Sequence, residues 1–145
     1  IYLLKLDILN PKLGRKIKIN STISTCIMRR ISPMETPDLK TICFEALDGL
    51  KAQNILVLDI RDISGFADWF IIATASSSRN AKAISNKLIE SIKLHQQHLV
   101  GIEGEGDSEW ILVDCGDVIV NIMQQEAREF YDLESLWGEK TLVSA

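Results

Sequence analysis

The chain has 145 residues, 46% of them hydrophobic, with a formal net charge of −4. That length suits one small domain with a single core plus a tail, and no apolar run approaches the roughly 18 to 20 residues that a bilayer-spanning helix needs, so no membrane partner is expected. The charge is sharply divided. Residues 1–33 carry seven basic side chains against Asp7 alone, a balance of +6, whereas residues 34–145 carry nine basic and nineteen acidic ones, a balance of −10. A domain at −10 is repelled by phosphate backbones, which excludes sequence-specific nucleic-acid binding and favours a basic protein as the partner.

In chain order, residues 1–35 come first as a basic N-terminal extension. Ile1 is not a usual initiator, the periodicity is weak, and Pro11, Gly14 and Pro33 break it; the segment is expected not to fold. Its basic, Ser/Thr-bearing and nearly acid-free character also fits a transit peptide, which would make the protein mitochondrial, or an RNA anchor. The folded domain is expected over residues 36–145. Thr36 can cap the first helix, with Pro37 at its first position and Asp38 at the positive end of the dipole. Leu39, Ile42, Cys43, Ala46, Leu47 and Leu50 then share one helical face, so Cys43 reads as core. Ile55–Ile60 is a nearly continuous apolar run of strand length, suited to a strand covered on both faces.

A turn over 61–65 leads to a second strand at Trp69–Thr74. Ser76, Ser77 and Ser78 can cap a long helix to about His98, whose face is Ala81, Ile84, Leu88 and Ile92. Leu99–Ile102 reads as an edge strand. Glu103, Glu105, Asp107 and Glu109 then form an acidic, glycine-bearing loop that is expected to be flexible. Trp110–Asp114 and Asp117–Met123 are two further strands, turned tightly at Cys115-Gly116. Glu126–Tyr131 and Leu133–Trp137 close the chain as short helices. The order implies an α/β (α+β) fold, a mixed four- to five-stranded sheet with helices packed on it.

Chemistry-bearing groups are sparse. Cys26, Cys43 and Cys115 are odd in number and lack a CxxC pair, against a disulfide framework or zinc site and in favour of a reducing compartment. His95 and His98 have a metal-compatible spacing, but nothing completes the ligand set. Gly104-Glu105-Gly106 precedes a strand and is flanked by acids that repel phosphate, and its acids do not follow the calcium-loop spacing. Ser76–Arg79 resembles an anion site at a helix N-terminus. Nucleotidyl transfer would need two carboxylates converging from a following strand, and Asp114 and Asp117 lie across a hairpin instead. No catalytic residue, metal or cofactor is expected, and the chain reads as a binding module and not an enzyme. Trp110 supports two readings: a core tryptophan opening a strand, or an exposed interface anchor among acids. Trp69 and Trp137 read as core.

Three separated segments carry a family resemblance. ADWFIIATASSSR at 67–79 resembles the ADYFVIATGxSxR segment of the ribosome silencing factor (Iojap-like) family, EWILVDCGDVIVNIM at 109–123 resembles its EWxLxDxGDVxVHxF, and EAREFYDLESLW at 126–137 resembles its ending ExRxFYxLExLW. Ala75 departs from the family's glycine and Asn121 from its common histidine. The resemblance implies a nucleotidyltransferase-like fold without catalytic groups. It also implies a protein that binds the large ribosomal subunit through its ribosomal protein number fourteen, blocks joining of the subunits and represses translation under nutrient limitation. The alternatives are a large-subunit assembly factor, as in organelles, and a nucleotidyltransferase-like enzyme. Bacterial-like spacing points to a bacterial cytoplasm, and a homodimer of the free chain stays open. By motif position, Trp110 corresponds to the partner-contacting tryptophan, and Asp68, Asp114, Asp117, Glu126 and Tyr131 are assigned to the same contact surface.

Overall fold

The computed structural model describes residues 37–137 and the backbone of 142–143. The N-terminal extension, Cys26 and the expected Thr36 cap lie outside the described residues. Asp38 caps α1 (Leu39–Gly49) instead: its extended backbone lets its carboxylate accept from the Thr41 N–H at 2.8 Å. Ile42, Cys43, Ala46 and Leu47 form the buried face of α1. The helix closes in a Schellman pattern, with Lys51 N–H donating to the Asp48 carbonyl and Ala52 N–H to that of Leu47; Lys51 takes the left-handed position at φ 57°.

β1 (Gln53–Asp59) and β2 (Trp69–Ala75) pair antiparallel, with a register break between Gln53 and Leu56 where Asn54 sits at φ 48°. α2 (Ser78–Leu94) follows, capped by Ser77, whose hydroxyl accepts from Asn80 N–H at 3.0 Å. It ends four residues before the expected His98. Gln96 turns left-handed at φ 56°, and Gln97 N–H reaches back to the Ile92 carbonyl. No glycine announces that stop, which is why periodicity ran past it.

β3 (Gly101–Glu103), β4 (Trp110–Asp114) and β5 (Val118–Gln124) complete the main sheet, followed by α3 (Gln125–Tyr131), α4 (Leu133–Trp137) and the two-residue β6 (Leu142–Val143). The sheet has six strands in the order β3-β4-β5-β2-β1-β6, one more than the four to five expected, the addition being the short edge strand β6. Only β2 and β5 pair in parallel among these neighbours; the others are antiparallel. The hairpin turns on Gly116-Asp117, one residue later than expected: Cys115 N–H donates to the Val118 carbonyl, and Gly116 adopts φ 86°.

Alternation along the strands supplies two cores. Ile71 and Ala73 of β2, Ile111 and Val113 of β4, and Val118, Val120 and Ile122 of β5 face α1 and α2. Phe70, Ile72, Trp110, Leu112, Ile119 and Met123 face the other way, onto Ala127 and Leu133 of α3 and α4. Helices on both faces explain the unbroken apolar runs, since strands buried twice over show no polar side. Cys43 and Cys115 are both free and buried in the first core. Hydrogen bonding to Cys43 and burial push the Cys115 thiol far up, so it is an inert core thiol. Among the described residues no helix is long and apolar enough to cross a membrane.

Candidate docking surface

The sheet register decides which predicted residues meet. β2 and β5 run parallel from Trp69↔Val118 to Ala75↔Gln124, and β4 runs against them, pairing Trp110 with Met123 and Asp114 with Ile119. Trp110 therefore stands at the end of the sheet where β5 enters α3, beside Glu126 and Tyr131. Asp68, Asp114 and Asp117 stand at the opposite end, about 14 Å away along the five-residue β4 and about 20 Å along the seven-residue β5. The six assigned residues divide into two groups and do not form one continuous patch.

At the hairpin end the acids have local work. Asp114 is only 3% exposed, and its Oδ1 accepts from Gly116 N–H at 3.0 Å, holding the turn. Asp117 is exposed, and its carbonyl accepts from the N–H groups of both Asp68 (2.8 Å) and Trp69 (3.0 Å), pinning β2 to the hairpin. Asp68, half-buried, accepts at its own carbonyl from Ile60 N–H. Trp69 is half-buried, not wholly core, with Lys40 Nζ 4.3 Å and the Arg61 guanidinium 4.9 Å from its ring.

At the other end, the exposed reading of Trp110 is overturned. It is 2% exposed, and its indole Nε1 donates to Asn121 Oδ1 at 2.9 Å. Asn121 in turn donates to the Ile71 carbonyl at 3.3 Å, so the residue that departs from the family's histidine fixes the tryptophan. The acids upstream suggested exposure, but the alternation of β4 sends Trp110 to the inner face with Leu112. What reaches the surface is the stack above it. Tyr131, half-buried, lies 4.9 Å from the Trp110 ring, and Phe130, 81% exposed, meets Tyr131 edge-on at 5.0 Å. Phe130, Tyr131 and Ala127 line a shallow hollow of about 350 Å³ with Gln124, Glu109 and Glu126.

The acidic loop beside it is pinned, contrary to the flexibility expected of it. Ser108, fully buried at φ 59°, donates its hydroxyl to the Glu105 carbonyl and its N–H to that of Gly104. Gln124 donates its side-chain amide to the Ser108 carbonyl and its N–H to that of Glu109. The loop thus presents Glu103, Glu105, Asp107 and Glu109, all exposed, from a fixed frame. α3 is fixed as well. Arg128 donates through Nε to Glu134 at 2.7 Å and through Nη1 to Thr74 Oγ1 at 2.7 Å and the Asn54 carbonyl at 2.6 Å, using the carbonyl of the residue at the register break in β1.

Sequence reasoning missed Arg128 and Phe130. Both fall on letters of the closing motif, but a seven-residue helix is too short for periodicity to separate its exposed face.

The other candidates resolve into local structure. Ser76 N–H donates to Asn80 Oδ1 at 3.0 Å while Ser77 caps Asn80, so the helix start spends donors on its own side chains. His95 is the α2 C-cap, with Nδ1 2.8 Å from the Ser91 carbonyl. Among the described residues no group of three or more His, Cys, Asp or Glu side chains could hold a metal ion.

The sequence profile of the family described as "Ribosomal silencing factor during starvation" matches residues 33–145. The chain is 45% identical over 94 residues to the ribosomal silencing factor RsfS of Haemophilus influenzae, covering 65% of this chain and 92% of that one. It is 32% identical over 89 residues to the mouse protein named mitochondrial assembly of ribosomal large subunit protein 1, covering 59% and 39%. Its fold is similar to the crystal structure of a protein from Chromobacterium violaceum, with a TM-score of 0.69, 33% identity, and 77% and 95% coverage. With a family profile spanning the whole acidic domain and a sheet that matches a relative's in three dimensions, the chain belongs to the ribosomal silencing factor family.

Proposed function

We propose that the chain is a translational repressor that binds the large ribosomal subunit through its ribosomal protein number fourteen and blocks joining of the small subunit under nutrient limitation. The observation that carries this reading is the exposed Phe130, raised on Tyr131 and Trp110 and flanked in its hollow by Glu109 and Glu126. An aromatic anchor in an acidic rim fits a basic protein with an apolar recess. Membership of the family supplies the ribosome as the setting. Trp110 acts beneath the surface as the support of the stack, and Asp114, Asp117 and Asp68 maintain the far hairpin. The chain carries out no nucleotidyl transfer in this reading, because Asp114 is committed to its own turn, and it works in a bacterial cytoplasm.

Co-sedimentation tests the proposal. The chain travels with isolated large subunits and not with small ones, and it lowers the yield of joined ribosomes; co-sedimentation with small subunits alone overturns it. The mouse relative's name favours a second reading, large-subunit assembly. Depletion of an assembly factor accumulates immature large particles during growth, whereas depletion of a silencing factor leaves growing cells with mature subunits.

A further inference from the structure

We infer that the outward face of α2 is a second contact surface that takes the phosphate backbone of RNA once the acidic surface is seated on protein. This rests on the docking reading above. The described residues 37–137 carry eight basic and seventeen acidic side chains, and four of the eight basic ones, Arg79, Lys82, Lys87 and Lys93, stand exposed on α2 with Glu90 as its one acid. The helix is at +3 while the rest of the described residues is at −12. Ala81, Ile84, Leu88 and Ile92 are buried against the sheet, which forces the basic side chains outward. At 100° per residue, Arg79, Lys82 and Lys93 fall within an arc of about 60° and a length of about 21 Å, long enough to meet more than one phosphate. Lys87 lies to one side, 4.0 Å from Glu90.

The stripe adjoins the acidic surface. Ser78 hydroxyl donates to the Asp107 carbonyl at 3.4 Å, and Lys82 and Glu105 line one hollow of about 120 Å³. α2 packs on the sheet face opposite α3. With Phe130 and the acidic loop on the protein partner, the N-terminal end of the stripe therefore stands at the margin of that contact. The rest runs away from it, toward the RNA that borders a protein on a ribosomal subunit. Alone, the −12 of the remaining surface repels phosphate. Seated on a basic protein, that repulsion is neutralised and the stripe is free to bind.

The test is the triple variant Arg79→Gln, Lys82→Gln and Lys93→Gln, with Glu90→Gln as its opposite. Binding is measured to isolated large subunits and to isolated ribosomal protein number fourteen. The triple variant should melt as the parent does and bind the isolated protein equally well. On whole subunits, three lost phosphate contacts should make the parent's affinity fall roughly 20- to 40-fold more than the variant's between about 50 and 200 mM salt. Glu90→Gln should tighten subunit binding. Equal salt dependence on subunits overturns the inference, and so does an equal loss on the isolated protein, which would place α2 in the protein contact. A parent chain that binds no subunits sinks the docking reading itself, a different result.

Discussion

At the scale of the residue, Trp110 takes the core reading of the two its sequence allows, and Phe130, to which sequence reasoning gave no role, is the exposed ring of the same stack. Trp110 fills the inner core with its indole N–H satisfied by Asn121, so Trp110→Ala should cost about 3 to 5 kcal/mol of folding stability, read as a lowered denaturation midpoint. Phe130→Ala removes a ring that is mostly in water. It should leave melting unchanged and weaken binding to the large subunit by about 2 kcal/mol, roughly 30-fold. A Phe130→Ala chain that binds normally removes the anchor from the proposal, whatever Trp110 does. Ser85 offers an independent check on packing. It is 1% exposed, and its hydroxyl has no hydrogen-bond partner among the described residues. Ser85→Ala should therefore stabilise the chain by about 0.5 to 1 kcal/mol, since a buried unsatisfied hydroxyl carries a desolvation cost and alanine favours helix. A destabilised alanine variant would mean that an ordered water bridges the hydroxyl.

At the scale of the element, the helix ends show what could be read in advance and what could not. The strands were legible because doubly covered β1, β2, β4 and β5 write themselves as apolar runs, and Gly116 marked the hairpin. The stop of α1 was legible to within a residue, at Leu50, but that of α2 was not, because Gln96 occupies a left-handed position that glycine usually announces. Trp110 was misjudged because its exposure depends on strand phase, which four upstream acids do not reveal. The α1 start makes a pH prediction. The Thr41 hydrogen bonds hold Asp38 below its ordinary carboxylate value. A depressed folded value means the cap stabilises above the unfolded value and is lost as pH falls through the folded one. At neutral pH, Asp38→Ala should cost about 1 kcal/mol. In melts from pH 6 down to pH 2, the gap between parent and variant should close below about pH 4. A gap that stays constant to pH 2 would show that the carboxylate charge is not what caps α1.

At the scale of the whole molecule, the distribution of charge separates steering from holding. Glu103, Glu105, Asp107 and Glu109 are exposed side chains on a loop whose internal hydrogen bonds run through Ser108, Gln124 and backbone groups. Replacing these four by Gln or Asn should therefore leave the loop and the Phe130 stack in place while removing four charges from the docking rim. Rim charges accelerate encounter with an opposite surface, and their effect on dissociation is small. The variant should associate with the large subunit at least tenfold more slowly at low salt, dissociate at nearly the parent rate, and lose most of the parent's salt sensitivity in association, because screening has less left to act on. Phe130→Ala should show the reverse, a faster release with association little changed. Stopped-flow traces of the two variants across a salt series separate these roles. If the loop variant instead releases faster and keeps its association rate, the acids are buried contacts in the complex, and the docking surface is centred on the loop and not on α3.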